Sequence, residues 1–181
     1  MLKFTFKSED GKRRCKWCKA SPELLRYHDT EWGVPIYDDC LLFESLTLEL
    51  FQSGLSWIVI LRKRDNFRKA FDYFNIDSIS NYDQIDISRL LSDSTIVRNR
   101  LKIGNTVNNA QKTIQLQKEY GSFSNYLWSS FRDDSDSCNS ILLSKDLLKR
   151  GFRSLGHVTC NSFMQAVGLI NGHSRDCYLF A

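Results

Sequence analysis

The sequence has little proline and lacks any long apolar run. Only two of its 181 residues are proline, Pro22 and Pro35, and both fall in the first fifth of the chain. No apolar segment approaches the roughly 18–20 residues that span a bilayer, and the N-terminus lacks the apolar run of a signal peptide. The sequence therefore predicts a cytoplasmic protein with no membrane partner. Because disulfides are rare in that compartment, we interpret the six cysteines as buried thiols or metal ligands.

A strong charge imbalance and the common catalytic motifs are also missing. The net charge is +4 with a pI of about 8.7, which permits an acidic partner such as nucleic acid without requiring one. There is no Ser/His/Asp or Cys/His arrangement, no glycine-rich phosphate loop and no H-E-x-x-H segment, which argues against nucleophilic hydrolases, P-loop enzymes and zinc peptidases. Aromatic residues make up 13% of the chain, including four tryptophans, and suit either stacking surfaces or a large core.

Helical periodicity dominates the chain after Tyr37, and no alternating strand pattern is evident there. The patterns predict helices over 38–52, 56–74, 78–80, 85–91, 98–120, 123–131, 142–149 and 157–170. Gly54, Gly121 and Gly151 serve as stop signals, and an acidic, serine-rich surface loop is expected over 133–140. With no repeat and no linker, the sequence predicts a compact all-α protein.

Cysteine and histidine cluster near both ends of the chain. Zinc prefers mixed Cys/His ligands, and both the C-x2-C step and the H-x3-C step are chelating spacings. The alternative is a set of unrelated buried thiols with a capping histidine, and spacing alone does not decide between the two. Five residues compete for the four positions of a tetrahedral site, so Cys18 or His28 would be surplus: Cys15, Cys18, His28, His173 and Cys177.

Glu49 falls on the apolar stripe of the helix predicted over 38–52, in line with Leu42 and Leu46. A carboxylate there either lies at the edge of the stripe and reaches water, or is held in a pocket where burial raises its proton affinity. The following turn carries Gln52 and Trp57. A carboxylate facing an indole across this turn could hold a flat, nitrogen-rich ring.

Three cations open the helix predicted over 98–120, where the helix macrodipole disfavours them. Local stability gives no reason for them, but an anion held at the helix N-terminus would. Together with the preceding short helix at 85–91 and the turn at 93–97, the spacing is typical of a helix-hairpin-helix module that grips a DNA phosphate. The alternative is a solvated basic face.

Taken together, these segments resemble the 3-methyladenine DNA glycosylase I family of base-excision enzymes. The resemblance extends from about Cys15 to Cys177, and its most specific parts are E-W-G-V-P and S-G-L-S-W. The matching segments are Y-H-D-T-E-W-G-V-P (27–35), L-F-E (42–44), L-E-L-F-Q-S-G-L-S-W (48–57), I-V-R-N-R-L-K-I (96–103), L-S-K-D-L (143–147), K-R-G-F (149–152) and S-F-M-Q-A-V-G-L-I-N-G-H (162–173).

The resemblance implies a helix-hairpin-helix glycosylase fold in a single unit spanning 1–181, with the hairpin element at about 85–118. A structural Zn²⁺ ion would join the N- and C-terminal segments through Cys15, His28, His173 and Cys177, leaving Cys18 free. Glu49 and Tyr27 would be the catalytic pocket residues, and Trp17, Trp32 and Trp57 would surround the base. DNA contacts would come from Thr95, Ile96, Val97, Arg98, Arg100 and Lys102.

The implied activity is hydrolysis of the N-glycosidic bond of 3-methyladenine in alkylated double-stranded DNA. The reaction leaves an abasic site and free 3-methyladenine, and it needs no lyase lysine. The protein would act as a monomer on nucleoid DNA. Two alternatives remain: a non-catalytic homologue that binds DNA or damaged bases, and a zinc-stapled helical protein with an unrelated partner.

This chain also departs from the family pattern. Thr95 replaces a common glycine in the hairpin, where a side chain could obstruct a phosphate. Leu24 replaces a pocket tyrosine, and Leu50 and Phe51 replace smaller or polar residues beside Glu49. The connection at 133–141 is shorter than usual. These changes bear on affinity and rate more than on fold.

Overall fold

The computed structural model describes residues 4–131 and 139–180 and shows a mainly helical protein with a small N-terminal β-hairpin. Short 3-10 turns occupy Lys16–Ala20 and Asp72–Phe74. Within the described residues, no helix combines the length and the apolar character needed to cross a membrane. In chain order the elements are β1 (Thr5–Lys7), β2 (Arg13–Cys15), α1 (Pro22–Thr30), α2 (Asp39–Gln52), α3 (Trp57–Ala70), α4 (Ile76–Ser80), α5 (Gln84–Ser92), α6 (Arg100–Tyr120), α7 (Phe123–Ser130), α8 (Asn139–Lys149) and α9 (His157–Ala166).

Helix α2 lies at the centre of the fold and packs against α3, α6, α7 and α9. Its apolar residues occupy nearly the whole circumference rather than one stripe, which is typical of a buried helix. Nine of its residues are buried, including two carboxylates, Glu44 and Glu49. The sequence therefore places acidic side chains on the one helix that has least access to water.

Polar side chains cap α2, α5 and α7 close to where the sequence predicts that these helices begin. Asp38 accepts from the Leu41 amide at the start of α2, and Asp83 forms a capping box at the start of α5. Gly121 ends α6 in the left-handed conformation, with φ of 84°. These local signals explain why the boundaries of α2, α5 and α7 lie within one residue of the prediction.

The E-W-G-V-P segment docks on the end of α9. The Gly33 amide donates to the Ala166 carbonyl over 3.1 Å, and the Ile36 amide donates to the Val167 carbonyl over 3.2 Å. Gly168 has a φ of 75°, and a Cβ atom there would lie 2.8 Å from the Gly33 carbonyl oxygen. Glycine is thus required for the two segments to meet, and their contact holds the segment that follows α1 against the end of α9.

The structure differs from the predicted elements at several places, including α1, which was not predicted, and α4, which begins at Ile76 rather than at residue 78. The β-hairpin was not predicted, because strands of three residues are too short to show an alternating pattern. Helix α3 ends at Ala70, since residues 72–74 adopt positive φ, so it does not extend to Phe74. Helix α9 ends at Ala166, before Gly168, rather than at Ile170.

A further difference concerns the helix expected over 98–120. Asn99 is its N-cap and accepts from the Lys102 amide over 3.1 Å, so α6 starts at Arg100 and Arg98 precedes it. At the other weak boundary, Asn139 and Ser140 are buried in α8 and not in the loop predicted over 133–140. The remainder of that loop, and most of the short 133–141 connection, lies outside the described residues.

Candidate active site and metal cluster

A cavity of about 270 Å³ opens between α1, the α2–α3 junction and α9. All five residues predicted for the base pocket line it: Trp17, Tyr27, Trp32, Glu49 and Trp57. Gln52, Ser162 and Gln165 complete the lining. Ser162 and Gln165 were not predicted as pocket residues, although their spacing of three on one helix indicates that they share a face.

Glu49 is buried beside this cavity, with only 7% of its surface exposed. Among the described residues, no side chain donates a hydrogen bond to its carboxylate and no cation pairs with it. Burial therefore raises the pKa of Glu49 to about 8. Of the two placements that the sequence allowed, the structure has the pocket placement.

Aromatic rings form the walls around Glu49. The Tyr27 and Trp57 rings lie 5.3 Å apart between centroids, and Trp17 meets Trp32 edge to face at 5.0 Å. Burial, followed by the charge of Glu49, raises the pKa of Tyr27, so its phenol stays neutral. The result is an electron-rich recess with one carboxyl group, which suits a flat cationic ring.

The departures at Leu50 and Phe51 do not reach this recess, because both side chains are buried in the hydrophobic core. Leu24 is buried as well and does not line the cavity. The recess therefore lacks a tyrosine side chain at position 24, whereas the changes at Leu50 and Phe51 are a matter of core packing.

A Cys/His cluster lies directly behind the indoles. The ligand atoms of Cys15, His28, His173 and Cys177 all lie within 4.8 Å of one another. Cys177 Sγ is 3.5 Å from His28 Nε2 and 3.6 Å from His173 Nδ1, and Cys15 Sγ is 3.8 Å from His173 Nδ1. A tetrahedral zinc ion with ordinary bond lengths holds its ligand atoms roughly 3.3–3.8 Å apart, so the donor set fits and these three distances lie in that range.

The two cysteines of the C-x2-C step have opposite environments. Burial opposes ionisation of Cys15, but hydrogen bonds with His173 and His28 lower the pKa of its thiol to about 5. Cys18 points away and donates to the Cys15 carbonyl over 3.0 Å, and burial raises the pKa of its thiol to about 12. A thiolate is the metal-binding form, so Cys15 is suited to a metal and Cys18 is not.

The cluster also supports the cavity wall. Trp32 stacks on His28 with ring centroids 6.1 Å apart and meets the edge of His173 at 4.7 Å. Trp17 meets the edge of His28 at 5.5 Å. Anything that fixes the two histidines therefore also fixes two of the three indoles.

The residues predicted to contact DNA lie in the turn between α5 and α6 and in the first turn of α6. The Thr95 amide and hydroxyl both donate to Asp93 Oδ1, over 2.8 and 2.6 Å. Lys63 donates to the Thr95 carbonyl over 2.8 Å, which further closes this turn. The hydroxyl of Thr95 is thus turned towards Asp93.

The remaining residues of this segment differ in exposure. Arg98 and Arg100 are exposed, Val97 is half-buried, and the Ile96 side chain belongs to the core. Lys102 donates to the Phe51 carbonyl over 2.8 Å and to the Ser53 carbonyl over 2.6 Å. Lys102 therefore does contribute to local stability, because its ammonium caps the C-terminus of α2. The prediction that none of the three cations does so is wrong for this residue.

Comparison with known proteins decides the family. The model of the family described as methyladenine glycosylase matches residues 17–180. The chain belongs to this family. Among curated methyladenine glycosylases, DNA-3-methyladenine glycosylase 1 of Escherichia coli is 38% identical over 177 residues, which cover 91% of this chain and 95% of that protein. The resemblance stated from the sequence motifs is confirmed.

Solved structures of methyladenine glycosylases agree with this assignment. A crystal structure of 3-methyladenine DNA glycosylase I matches with a TM-score of 0.85 at 38% identity, covering 93% of this chain and all of that chain. A variant of a 3-methyladenine DNA glycosylase I in complex with 3-methyladenine matches with a TM-score of 0.84 at 37% identity, covering 93% and 97% of the two chains. The mainly helical fold is thus the family fold.

Proposed function

We propose that this protein is an active, monofunctional DNA-3-methyladenine glycosylase. It hydrolyses the N-glycosidic bond of 3-methyladenine in alkylated double-stranded DNA and leaves an abasic site. The observation that carries the proposal is the cavity in which Glu49, without a cationic partner, faces indole and phenol rings. An unpaired buried carboxylate is costly, and a cationic base would offset that cost.

The chemistry asks little of the protein beyond binding and orientation. A base methylated at N3 is cationic, so it leaves C1′ with the electron pair of the glycosidic bond as neutral 3-methyladenine. A water oxygen bonds to C1′ and its proton passes to solvent, which requires no lyase lysine. Trp17, Trp32 and Trp57 favour the cationic ring over a neutral one, and Glu49 accepts from its amino side. Tyr27 closes the recess, so that the flipped base is shielded from water.

We propose that the Cys/His cluster holds a structural Zn²⁺ ion through Cys15, His28, His173 and Cys177. Such an ion supplies no step of the hydrolysis and joins the two ends of the chain. Because two indoles rest on its histidine ligands, we expect metal removal to loosen the pocket as well as the fold.

We propose that α5, the turn 93–99 and α6 form a helix-hairpin-helix element that grips one DNA phosphate. Arg98 and Arg100 are the exposed cations of this element, and backbone amides of the turn would supply the remaining donors. We further propose that residues 1–181 act as one unit and as a monomer on double-stranded DNA.

One observation favours the second candidate, a non-catalytic homologue that binds damaged bases. The Thr95 amide is already bonded to Asp93, so it is not available to a phosphate without rearrangement. A weakened phosphate grip would spare binding of the free base and impair work on duplex DNA.

The decisive experiment measures release of 3-methyladenine from N-methylated duplex DNA by the wild type and by Glu49→Ala, with zinc content determined on the same samples. We expect near-stoichiometric zinc in both and base release that falls at least about a hundredfold in the variant, as for loss of a main transition-state contact. If the zinc-loaded wild type binds free 3-methyladenine but releases none from DNA, the second candidate replaces the first.

A further inference from the structure

A buried arginine lies next to the Cys/His cluster and bonds two carboxylates. Arg14 has only 4% of its surface exposed. Its Nε and Nη2 atoms donate to the Asp29 carboxylate over 2.7–2.9 Å, and its Nη1 and Nη2 atoms donate to the Asp10 carboxylate over 2.8 and 2.7 Å. These contacts fix Asp29 from one side with a rigid, planar group.

Asp29 in turn fixes a histidine of the cluster. Its Oδ1 atom lies 2.8 Å from His28 Nδ1. Since an ionised carboxylate can only accept, the histidine proton lies on Nδ1, and Nε2 keeps a free lone pair. That Nε2 atom faces Cys177 Sγ at 3.5 Å, on the side where the four ligand atoms converge. A carboxylate behind a histidine ligand is a recurrent way to set ring orientation and basicity.

The second carboxylate comes from the N-terminal β-hairpin, which precedes the residues 17–180 matched by the family model. Asp10 lies in its turn, and β2 carries both Arg14 and Cys15. The Tyr178 amide donates to the Arg13 carbonyl over 2.8 Å, so β2 also holds the segment that follows Cys177. The Arg14 guanidinium lies 5.2 Å from the centre of the Tyr178 ring. The hairpin thus contacts the segments that carry the N-terminal and the C-terminal ligands of the cluster. Cys15 is the one proposed ligand that the hairpin itself supplies.

We propose that Arg14 is a positioning residue for the zinc site. Held by Asp10 of the β-hairpin, it fixes Asp29 and through it the ring of His28, so that the hairpin retains the metal in this chain. The proposal rests on the zinc site proposed above. The role falls to the hairpin, which lies before the residues that the family model matches.

The test measures zinc affinity of the full chain by competition with a chromophoric chelator, and the visible spectrum after Co²⁺ replaces Zn²⁺. We expect Asp29→Asn and Arg14→Lys to lower zinc affinity about tenfold to a hundredfold and to shift the Co²⁺ bands. Asp10→Asn, which changes a half-exposed partner, is expected to lower affinity about threefold. Arg13→Gln is the matched control on the same strand and should change neither quantity, since among the described residues its side chain forms an ion pair only with exposed Asp176.

The outcomes separate the two proposals. If the wild type binds no zinc tightly, the zinc site itself is wrong. If the wild type binds zinc but Asp29→Asn, Arg14→Lys and Asp10→Asn keep its affinity and Co²⁺ spectrum, the positioning role is wrong. If thermal stability falls in these variants while the Co²⁺ spectrum and zinc affinity stay unchanged, the Arg14 cluster is an ordinary structural ion pair and the proposal is overturned. Should Arg14→Lys fail to fold, Asp10→Asn still decides the matter.

Discussion

Two cavities share one wall in this protein, and each contains a buried carboxylate from the central helix α2. Glu44 faces the second cavity, also of about 270 Å³, where Arg68 donates to it over 2.8–3.0 Å. Glu49 faces the first and has no cationic partner among the described residues. Tyr27 and Trp57 line both cavities and separate them.

The two glutamates are equally buried, at 6% and 7% exposure, so burial does not distinguish them. What differs is the partner. The charge of Glu44 is balanced within the chain, which makes it part of the structure. The carboxyl group of Glu49 has no such partner among the described residues, and a group left in that state in a concave site is a candidate for ligand binding. The comparison teaches that the missing cation, more than the carboxylate itself, marks the active cavity.

The largest effect we expect is a dependence of protein stability on pH that comes from Glu49. Below about pH 4.5 both the folded and the unfolded chain hold the Glu49 proton, whereas between pH 4.5 and about 8 only the folded chain does. Stability therefore falls as pH rises through this range, and Glu49→Gln should remove that loss, which amounts to about 5 kcal/mol at pH 9. Urea unfolding of both proteins at pH 5 and pH 9 checks this. Parallel curves would show that Glu49 is not protonated by burial.

The second prediction concerns the paired site. Glu44→Gln leaves the Arg68 guanidinium with only Asp65 as an acidic partner, so we expect a loss of about 2 kcal/mol, reduced from the full buried-pair penalty because Arg68 is 31% exposed. Base release per folded molecule should stay within about twofold of wild type. Denaturant unfolding and the base-release assay measure the two quantities. A loss of activity without a loss of stability would assign Glu44 to the reaction.

The third prediction concerns what a ligand does to Glu49. A permanently cationic 3,9-dialkyladeninium prefers the ionised carboxylate, so its binding should displace the proton. Affinity should then rise about tenfold per pH unit between pH 6 and pH 8 and level off above. Calorimetric titrations across this range test it, with Glu49→Gln as the pH-independent control. An affinity that falls as pH rises would place the cation elsewhere.

The smallest effect concerns two tryptophans. The buried Trp57 Nε1 has no partner among the described residues, whereas Trp128 Nε1 donates to the Ile36 carbonyl over 2.9 Å. Trp57→Phe should weaken cation binding by about 1 kcal/mol and leave stability unchanged. Trp128→Phe should cost about 1 kcal/mol of stability and leave binding unchanged. Cation binding and denaturant unfolding of both variants test this. If the two variants lose the same amount of binding and of stability, Trp57 has no special role in the cavity.

Much of the helical framework could be predicted because its signals are local. Asp38, Asp83 and Gly121 determine helix ends through atoms within a few residues of themselves. The β-hairpin could not be predicted, since its stability comes from contacts with residues such as Tyr178 at the other end of the chain. The start of α6 was misplaced by two residues because the Asn99 side chain caps the helix by accepting from the Lys102 amide, whereas the run of cations suggested an earlier start.

The parts of the site that lie in recognisable sequence motifs could be predicted. Spacing placed Glu49 on an apolar stripe, and the resemblance supplied the indoles around it. Spacing did not show that Lys102 faces the end of α2 rather than solvent. Its partners Ser53 and Phe51 lie 49 and 51 positions before it in the chain, so the contact leaves no local pattern. Arg14 had no sequence signal at all, since its two partners are acidic residues of ordinary type in separate segments.

The four ligands of the proposed zinc site have a consequence for the order of synthesis. Cys15 and His173 are 158 positions apart, and His28 and Cys177 are 149 apart. Cys15 and His28 are thus synthesised early, together with Trp17 and Trp32. Most of the chain is then synthesised before His173 and Cys177 are added. Closing so long a loop is entropically costly, so the helices around α2 should form first and the pocket wall last. A growing chain would acquire its fold before it acquires the ability to recognise a damaged base.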